Sequence, residues 1–105
     1  MIIGLIVLFF AGAFLCNCLP HLVSGLQGWP FPTPFSKPRG VGDSSPVVNV
    51  LWGFLNLVIG LALLIRQPLT VHFYAYLTAL LIGVLVMGLQ LSSHFGKVLR
   101  CKSTR

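Results

Sequence analysis

Apolar residues fill three long stretches of the chain, and two polar segments of unequal length separate them. The stretches cover about residues 2–26, 46–65 and 69–95. An α-helix needs about 20 residues to cross a bilayer core that is about 30 Å thick. The pattern therefore predicts an all-α fold in which residues 1–105 form one integral membrane domain. We expect a three-helix bundle that ends in a basic tail at residues 96–105.

The second helix has clear boundaries in the sequence. Ser45 is a good N-cap residue, and Pro46 suits the first helical position. Gln67 and Pro68 end the helix just after Arg66. So short a turn predicts that the third helix is an antiparallel neighbour of the second.

Residues 28–45 cannot continue either flanking helix, because they contain four spaced prolines: Pro30, Pro32, Pro34 and Pro38. The same segment carries large aromatic rings and two cations: Trp29, Phe31, Phe35, Lys37 and Arg39. Rings of this kind suit the headgroup level of a membrane, with the cations in the polar layer. We expect a Pro/Gly-rich interfacial loop between the first two helices. The alternative is a flexible loop that happens to be aromatic.

The first apolar stretch is either a retained helix or a cleaved signal peptide. A signal peptide needs a basic segment at its start and small residues at its cleavage site. No Lys or Arg precedes residue 37, and large residues follow the small ones at positions 11–13. The sequence therefore favours a retained transmembrane helix.

Composition agrees with the membrane assignment and narrows the possible functions. Of 105 residues, 56% are hydrophobic and only 8% are charged, against about 25% charged in a soluble domain. This excludes an ordinary soluble domain, a disordered chain and a disulfide-stapled secreted module. Asp43 is the one acidic residue, so no carboxylate pair exists for acid–base catalysis, and we do not expect an enzyme. The net charge is +6, but the basic residues are not interleaved with aromatic residues as they are in a nucleic-acid site. No nucleic-acid partner is therefore expected.

The basic residues indicate an orientation. Three spans place the N-terminus and Arg66 on one side of the membrane and the loop and tail on the other. The second side holds six basic residues: Lys37, Arg39, Lys97, Arg100, Lys102 and Arg105. By the positive-inside rule the loop and C-terminus are cytoplasmic and the N-terminus is outside.

Polar and small residues recur on one face of each helix. The clearest face belongs to the second helix, where Asn49, Gly53, Asn56 and Gly60 follow steps of 4, 3 and 4. Amides need partners in hydrocarbon, and glycines let another backbone come close, so this face should contact protein. Similar faces are predicted on the third helix (His72, Tyr76, Ala79, Gly83, Met87, Gln90 and His94) and at the end of the first (Asn17, His21, Ser24, Gly25 and Gly28). We expect all three to point inward in a compact bundle.

These faces supply the candidate site residues. The candidate polar cluster consists of His21, Ser24, Asn49, Asn56, Gln90 and His94, and the helix-packing glycines are Gly25, Gly53, Gly60 and Gly83. Histidine can transfer protons or bind a metal, although histidines at a membrane boundary are often merely interfacial. Cys16 and Cys18 lie about 200° apart on a helix, so they cannot face one ion. No metal site and no cofactor are expected.

The segment HLVSGLQGWPFPTPFSKPRGVGDSSPVVNVLWGFLN resembles small, uncharacterised three-helix membrane proteins of bacteria. The resemblance is carried by His21, Gly25, Phe31, Pro32, Pro34, Phe35, Pro38, Gly40, Gly42, Ser44, Ser45, Pro46, Asn49, Trp52 and Gly53. It implies a three-helix fold in the inner (plasma) membrane and no particular activity.

Two functions remain open at this point. The first is a structural, accessory or regulatory membrane component whose partners are the lipid bilayer and either further copies of the chain or a larger membrane complex. The alternative is a small homo-oligomeric transporter with a polar site between helices, similar in size to half-SWEET sugar transporters. The long Pro-rich loop departs from that pattern. A transporter needs a polar cavity near Asn56 and Gly83.

Overall fold

The structure, a computed structural model, describes residues 1–103. Three helices dominate it: α1 (Ile2–Leu26), α2 (Pro46–Ile65) and α3 (Phe73–Ser103). Each is long and apolar enough to cross a membrane. The prediction of an all-α chain with three membrane-length helices is therefore confirmed. Two short strands, β1 (Phe31–Pro32) and β2 (Asp43–Ser44), pair antiparallel within the loop.

Helix α2 begins where Ser45 and Pro46 predict it. The Ser45 side chain accepts a hydrogen bond from the Val48 backbone N–H at 3.2 Å, and Pro46 occupies the first turn. This arrangement satisfies one of the N–H groups that a helix start leaves unpaired. Pro20 lies inside α1, which nevertheless continues to Leu26.

The third helix differs from its predicted span of 69–95. It begins at Phe73, because Pro68 starts a turn closed by the Val71 N–H bonding to the Pro68 carbonyl oxygen. It then continues through the expected tail as far as Ser103. Val98, only 6% exposed, is packed against the molecule, and this contact explains why the basic segment stays helical. Arg105 of the predicted tail lies outside the described residues.

Helix α1 is the central element, because it packs along both α2 and α3 while those two have almost no contact with each other. Gly25 of α1 lies against Val50, and Leu15 lies against Gly60, so α1 and α2 are antiparallel. Gly4 lies against Tyr76 and Gly12 lies against Leu80, so α1 and α3 are parallel.

The prediction that α3 is a direct neighbour of α2 was thus wrong. Residues 66–72 lie outside the helices and leave α2 and α3 on different sides of α1. The predicted faces therefore do not converge on one shared axis, as a compact bundle would require.

Candidate functional site

The polar residues at the loop end of the molecule form a connected structure, which we call the cap. It comprises the last turns of α1, the loop 27–45, the first turns of α2 and the part of α3 from about residue 91 to 102. Its centre is a pair of fully buried side chains, His21 at 2% exposure and Asn49 at 0%. His21 Nδ1 lies 2.9 Å from Asn49 Oδ1.

The Asn49 amide also ties the loop to the helices. Its Nδ2 donates to the carbonyl oxygens of Phe31 at 2.9 Å, Ser45 at 3.1 Å and Ser44 at 3.2 Å. Carbonyl oxygens can only accept, so the nitrogen of the amide must face them and Oδ1 must face His21. His21 Nδ1 is therefore the protonated ring nitrogen, and Nε2 of the neutral imidazole keeps an acceptor lone pair.

A second bonded pair lies farther from the loop, one helical turn along α1 and about two turns along α2. Asn17 Nδ2 donates to Asn56 Oδ1 at 2.9 Å, and Asn56 Nδ2 donates to the Trp52 carbonyl oxygen at 2.8 Å. Asn56 is 1% exposed. Together the two pairs join α1 to α2 at successive levels.

Hydrogen bonds connect distant parts of the loop to one another. Thr33 and Ser44 share a hydroxyl hydrogen bond beside the β1–β2 pair, and the Ser36 hydroxyl donates to the Thr33 carbonyl oxygen at 2.7 Å. The Gly40 N–H bonds to the same carbonyl at 2.9 Å. Thr33 and Ser36 are buried, at 1% and 6% exposure. These bonds satisfy hydroxyl groups that would otherwise be buried without partners.

The loop is also attached to α3. His94 Nε2 donates to the Gly40 carbonyl oxygen at 2.7 Å, and Gly40 has the positive φ of 69° that favours glycine. Lys102 Nζ forms an ion pair with Asp43 Oδ1 at 2.8 Å. The helical extension of α3 thus serves as a surface on which the loop packs.

Aromatic rings surround the central histidine. The His21 ring meets the rings of Phe31, Trp52 and Phe95 edge-on, with centroids 5.6, 6.3 and 6.2 Å away. Phe31 and Phe95 are themselves 4.6 Å apart. Phe31 therefore belongs to the interior of the cap.

The other predicted loop residues lie outside it. Phe35 leans on the Trp52 ring at 5.1 Å but stays 63% exposed, and Trp29 is 66% exposed. Lys37 and Arg39 are exposed as well. These four residues form the outer surface of the loop.

A cavity of about 160 Å³ opens beneath the loop. It is lined by Asn17, His21, Pro32, Thr33, Pro34, Gly40, Trp52, Leu91, His94 and Phe95. The indole Nε1 of Trp52 is buried and has no hydrogen-bond partner among residues 1–103. An orphaned buried donor is unusual, because nearly all such groups are paired in folded proteins.

The structure brings together four of the six predicted cluster residues. His21 and Asn49 bond to each other, His94 lines the same cavity, and Asn56 lies one level deeper. The Ser24 hydroxyl instead donates to the Trp29 carbonyl oxygen at 3.0 Å, at the end of α1. Gln90 is exposed and lines a separate groove of about 320 Å³ between α1 and α3.

The four predicted packing glycines all lie where another element comes close. A Cβ on Gly25 would come within 2.7 Å of the Pro46 carbonyl oxygen, and one on Gly53 within 2.8 Å of a backbone nitrogen of α1. A Cβ on Gly60 would meet Leu15 at 2.7 Å, and one on Gly83 would collide with the Phe9 carbonyl oxygen. Their hydrogen atoms leave the space that the approaching groups occupy.

Sequence reasoning left four residues of this region out of the candidate cluster: Asn17, Thr33, Trp52 and Phe95. Asn17 precedes His21 by four positions and so shares its helix face. That spacing could have placed it in the cluster. Thr33 sits in a loop, and its burial depends on contacts with no sequence period.

Among residues 1–103, no three His, Cys, Asp or Glu side chains come together in a way that could hold a metal ion. The arrangement offers hydrogen bonding and aromatic packing instead. No protein-family model, curated protein or solved structure matches the sequence.

Proposed function

We propose that this chain is a small multi-pass membrane protein with a structural or accessory role. The observation that carries the proposal is how its polar side chains are used. His21, Asn49, Asn17 and Asn56 all bond to other parts of the chain. These bonds hold helices together, and the three asparagine amides engaged in them are not available to bind a transported solute.

The outer surface supports a lipid environment. Large apolar side chains on all three helices are at least half exposed, among them Ile6, Phe10, Leu51, Phe54 and Leu85. Continuous apolar surface of this extent is incompatible with water and suits hydrocarbon.

The proposed location is the bacterial inner membrane, with the cap on the cytoplasmic side and the N-terminus outside. Five described cations support this orientation, because they belong to the loop or to the end of α3: Lys37, Arg39, Lys97, Arg100 and Lys102. Arg66, in the turn between α2 and α3, lies at the other end. By the positive-inside rule, the end of the molecule that is richer in Lys and Arg faces the cytoplasm.

The transporter alternative receives less support. It requires a wet path near Asn56 and Gly83. Asn56 is 1% exposed and bonded on both sides of its amide, and Gly83 lies against the Phe9 backbone. A path through a single chain would have to break these contacts.

Orientation is tested with reporter fusions in bacterial cells. A fluorescent protein fused after Arg105 should fold and fluoresce in the cytoplasm. Alkaline phosphatase fused at the same position should be inactive. The matched control places the same reporters in the turn after Gln67, where the outcome should reverse. Active phosphatase at the C-terminus would contradict the proposed orientation.

The structural role is tested by the assembly state in native membrane discs and by flux in proteoliposomes. We expect the chain to occur at fixed stoichiometry with copies of itself or with another membrane protein, and to leave the permeability of the vesicles unchanged. A solitary monomer, or saturable flux of a solute that Asn56→Leu abolishes, would overturn the proposal.

A further inference from the structure

Two surface grooves of different chemistry adjoin each other at the loop end of the molecule. The first, which we call the loop groove, is lined by Pro34, Phe35, Ser36, Lys37, Pro38 and Arg39. The second, the helix groove, is lined by Phe35, Val48, Leu51, Trp52 and Leu55. Phe35 borders both grooves, so they meet at this residue.

The loop groove carries positive charge that the chain does not neutralise. Lys37 and Arg39 are both exposed, and neither forms an ion pair within residues 1–103. Asp43 is the only acidic side chain in the sequence, and it pairs with Lys102 instead. The loop groove is therefore complementary to an anion.

The backbone between the two cations is hydrogen-bonded on itself. The Pro38 carbonyl oxygen accepts from the Ser36 hydroxyl at 3.1 Å, from the Gly42 N–H at 2.9 Å and from the Val41 N–H at 3.0 Å. These bonds keep the residues on either side of Pro38 in one turn, and both cations line the same groove as a result.

The helix groove is apolar and leads away from the loop. Val48, Leu51 and Leu55 follow steps of 3 and 4, so they share one face of α2. Leu51 and Leu55 are 65% and 47% exposed. Because α2 begins at Pro46, this face runs from the cap toward the middle of the span. Apolar surface thus begins where the cationic groove ends.

We propose that the two grooves together bind one anionic phospholipid. Its phosphate contacts Lys37 and Arg39, and an acyl chain lies along Val48, Leu51 and Leu55. A phospholipid has the same order of parts, a charged headgroup followed by hydrocarbon. A headgroup of net negative charge is favoured over a zwitterionic one, because two unbalanced cations repel the ammonium group of the latter.

A soluble phosphate compound shares the headgroup chemistry but leaves the helix groove empty. Solvent and salt screen exposed charges, so two cations alone hold a small anion weakly. A phospholipid adds the burial of hydrocarbon against α2. The meeting of the two grooves at Phe35 therefore favours a lipid as the occupant. The inference rests on the proposed membrane location and adds a specific lipid to it.

The test measures quenching of Trp52 fluorescence by lipids that carry brominated acyl chains. Trp52 lines the helix groove, and Trp29→Phe leaves it as the single tryptophan. Phosphatidylcholine vesicles receive an equal, minor fraction of brominated phosphatidylglycerol or brominated phosphatidylcholine. The phosphatidylglycerol should quench at a mole fraction at least about fivefold lower. Equal quenching by the two lipids would overturn the proposal.

A pair of double variants separates this site from general attraction between cations and anionic lipid. Lys37→Gln with Arg39→Gln should abolish the preference for phosphatidylglycerol. Lys97→Gln with Arg100→Gln is the matched control, because it removes the same charge from exposed residues that do not line the loop groove. The control should keep the preference. Equal losses in the two double variants would refute the site.

Glycerol phosphate distinguishes a lipid site from a site for soluble anions. It carries the phosphate without acyl chains, so its addition to the same vesicles should leave the quenching of Trp52 unchanged. Sodium chloride at equal ionic strength controls for screening. Recovery of fluorescence beyond the effect of the salt would identify a soluble anion as the ligand and contradict the assignment to a lipid.

Flotation of the vesicles separates failure of this site from failure of the proposed function. A chain that floats with the vesicles and shows no lipid preference loses this site only, because the structural role is measured by assembly. A chain that does not float would refute the membrane location, and the lipid site with it. Both leaflets contain the same lipids, so the outcome does not depend on orientation.

Discussion

Helix α1 contacts its two neighbours in chemically different ways. Toward α2 it presents polar side chains as well as small residues, and two bonded pairs, His21–Asn49 and Asn17–Asn56, cross that interface. Toward α3 the helices approach backbone to backbone. A Cβ on Gly12 would collide with the Leu80 carbonyl oxygen.

The difference concerns what fixes each interface. A hydrogen-bonded pair requires particular atoms at particular levels, so it defines the register of α1 against α2. A backbone approach requires only that no side chain intervenes, so it depends on volume. We therefore expect the α3 interface to be sensitive mainly to added bulk. The α2 interface, which also contains close glycine contacts, should in addition be sensitive to lost partners.

The largest effect should come from bulk at the α3 interface. In Gly83→Ala the new Cβ collides with the Phe9 carbonyl oxygen, which belongs to backbone and cannot rotate away. We expect a loss of about 3 kcal/mol in the free energy of unfolding, at the upper end of overpacking effects. Reversible unfolding in mixed micelles measures it.

Gly88→Ala is the matched control for that variant. Its added methyl group would lie 3.7 Å from Cys16 Sγ, which is ordinary contact, so stability should be nearly unchanged. Equal losses in the two variants would show that any substitution harms α3, and would break the argument from volume.

The next effect tests lost partners in the cap. Asn49→Leu removes the acceptor of His21 Nδ1 and the donor to three carbonyl oxygens. We expect a cost of about 2 kcal/mol, because the buried groups left behind remain unsatisfied. Amide hydrogen exchange should accelerate at Gly40 and Gly42 of the loop. Val47→Leu, at a position 68% exposed, should change neither quantity.

A smaller effect is expected at the deeper amide pair. A double-mutant cycle with Asn17→Leu and Asn56→Leu should give a coupling energy of about 0.6 kcal/mol and no more than about 1.7 kcal/mol, the average and the maximum for hydrogen bonds between membrane helices. The same cycle on Asn17 and Gln90, which line a groove without bonding to each other, provides the comparison. Coupling of equal size in both cycles would contradict a specific role for the Asn17–Asn56 bond.

The smallest effect belongs to the ion pair between the loop and α3. Asp43→Asn removes the partner of Lys102, but the two side chains are 46% and 29% exposed. Exposed pairs contribute about 0–1 kcal/mol and weaken in salt. We expect a loss below about 0.5 kcal/mol that disappears at high ionic strength. A larger, salt-independent loss would make the ion pair a main attachment of the cap.

The sequence determined the local structure well. The three apolar stretches form three membrane-length helices. Helix α2 begins with Ser45 as its N-cap and Pro46 in its first turn, as the sequence predicts. The four residues buried in α2 are Asn49, Gly53, Asn56 and Gly60, which are the four of its predicted face. A helical period of about 3.6 residues fixes which side chains share a face, and that information is entirely local.

Only the tertiary structure decided which surfaces meet. The faces predicted for α2 and α3 both pack on α1, at different sides of it, and Gln90 stays exposed although it shares the period of Gly83. Periodicity identifies a face but not its partner.

The cap depends even more on the tertiary fold. The loop packs against α3 through bonds that span more than 50 positions, from Gly40 to His94 and from Asp43 to Lys102. Such contacts exist only once the helices have assembled, so no local sequence pattern could predict them.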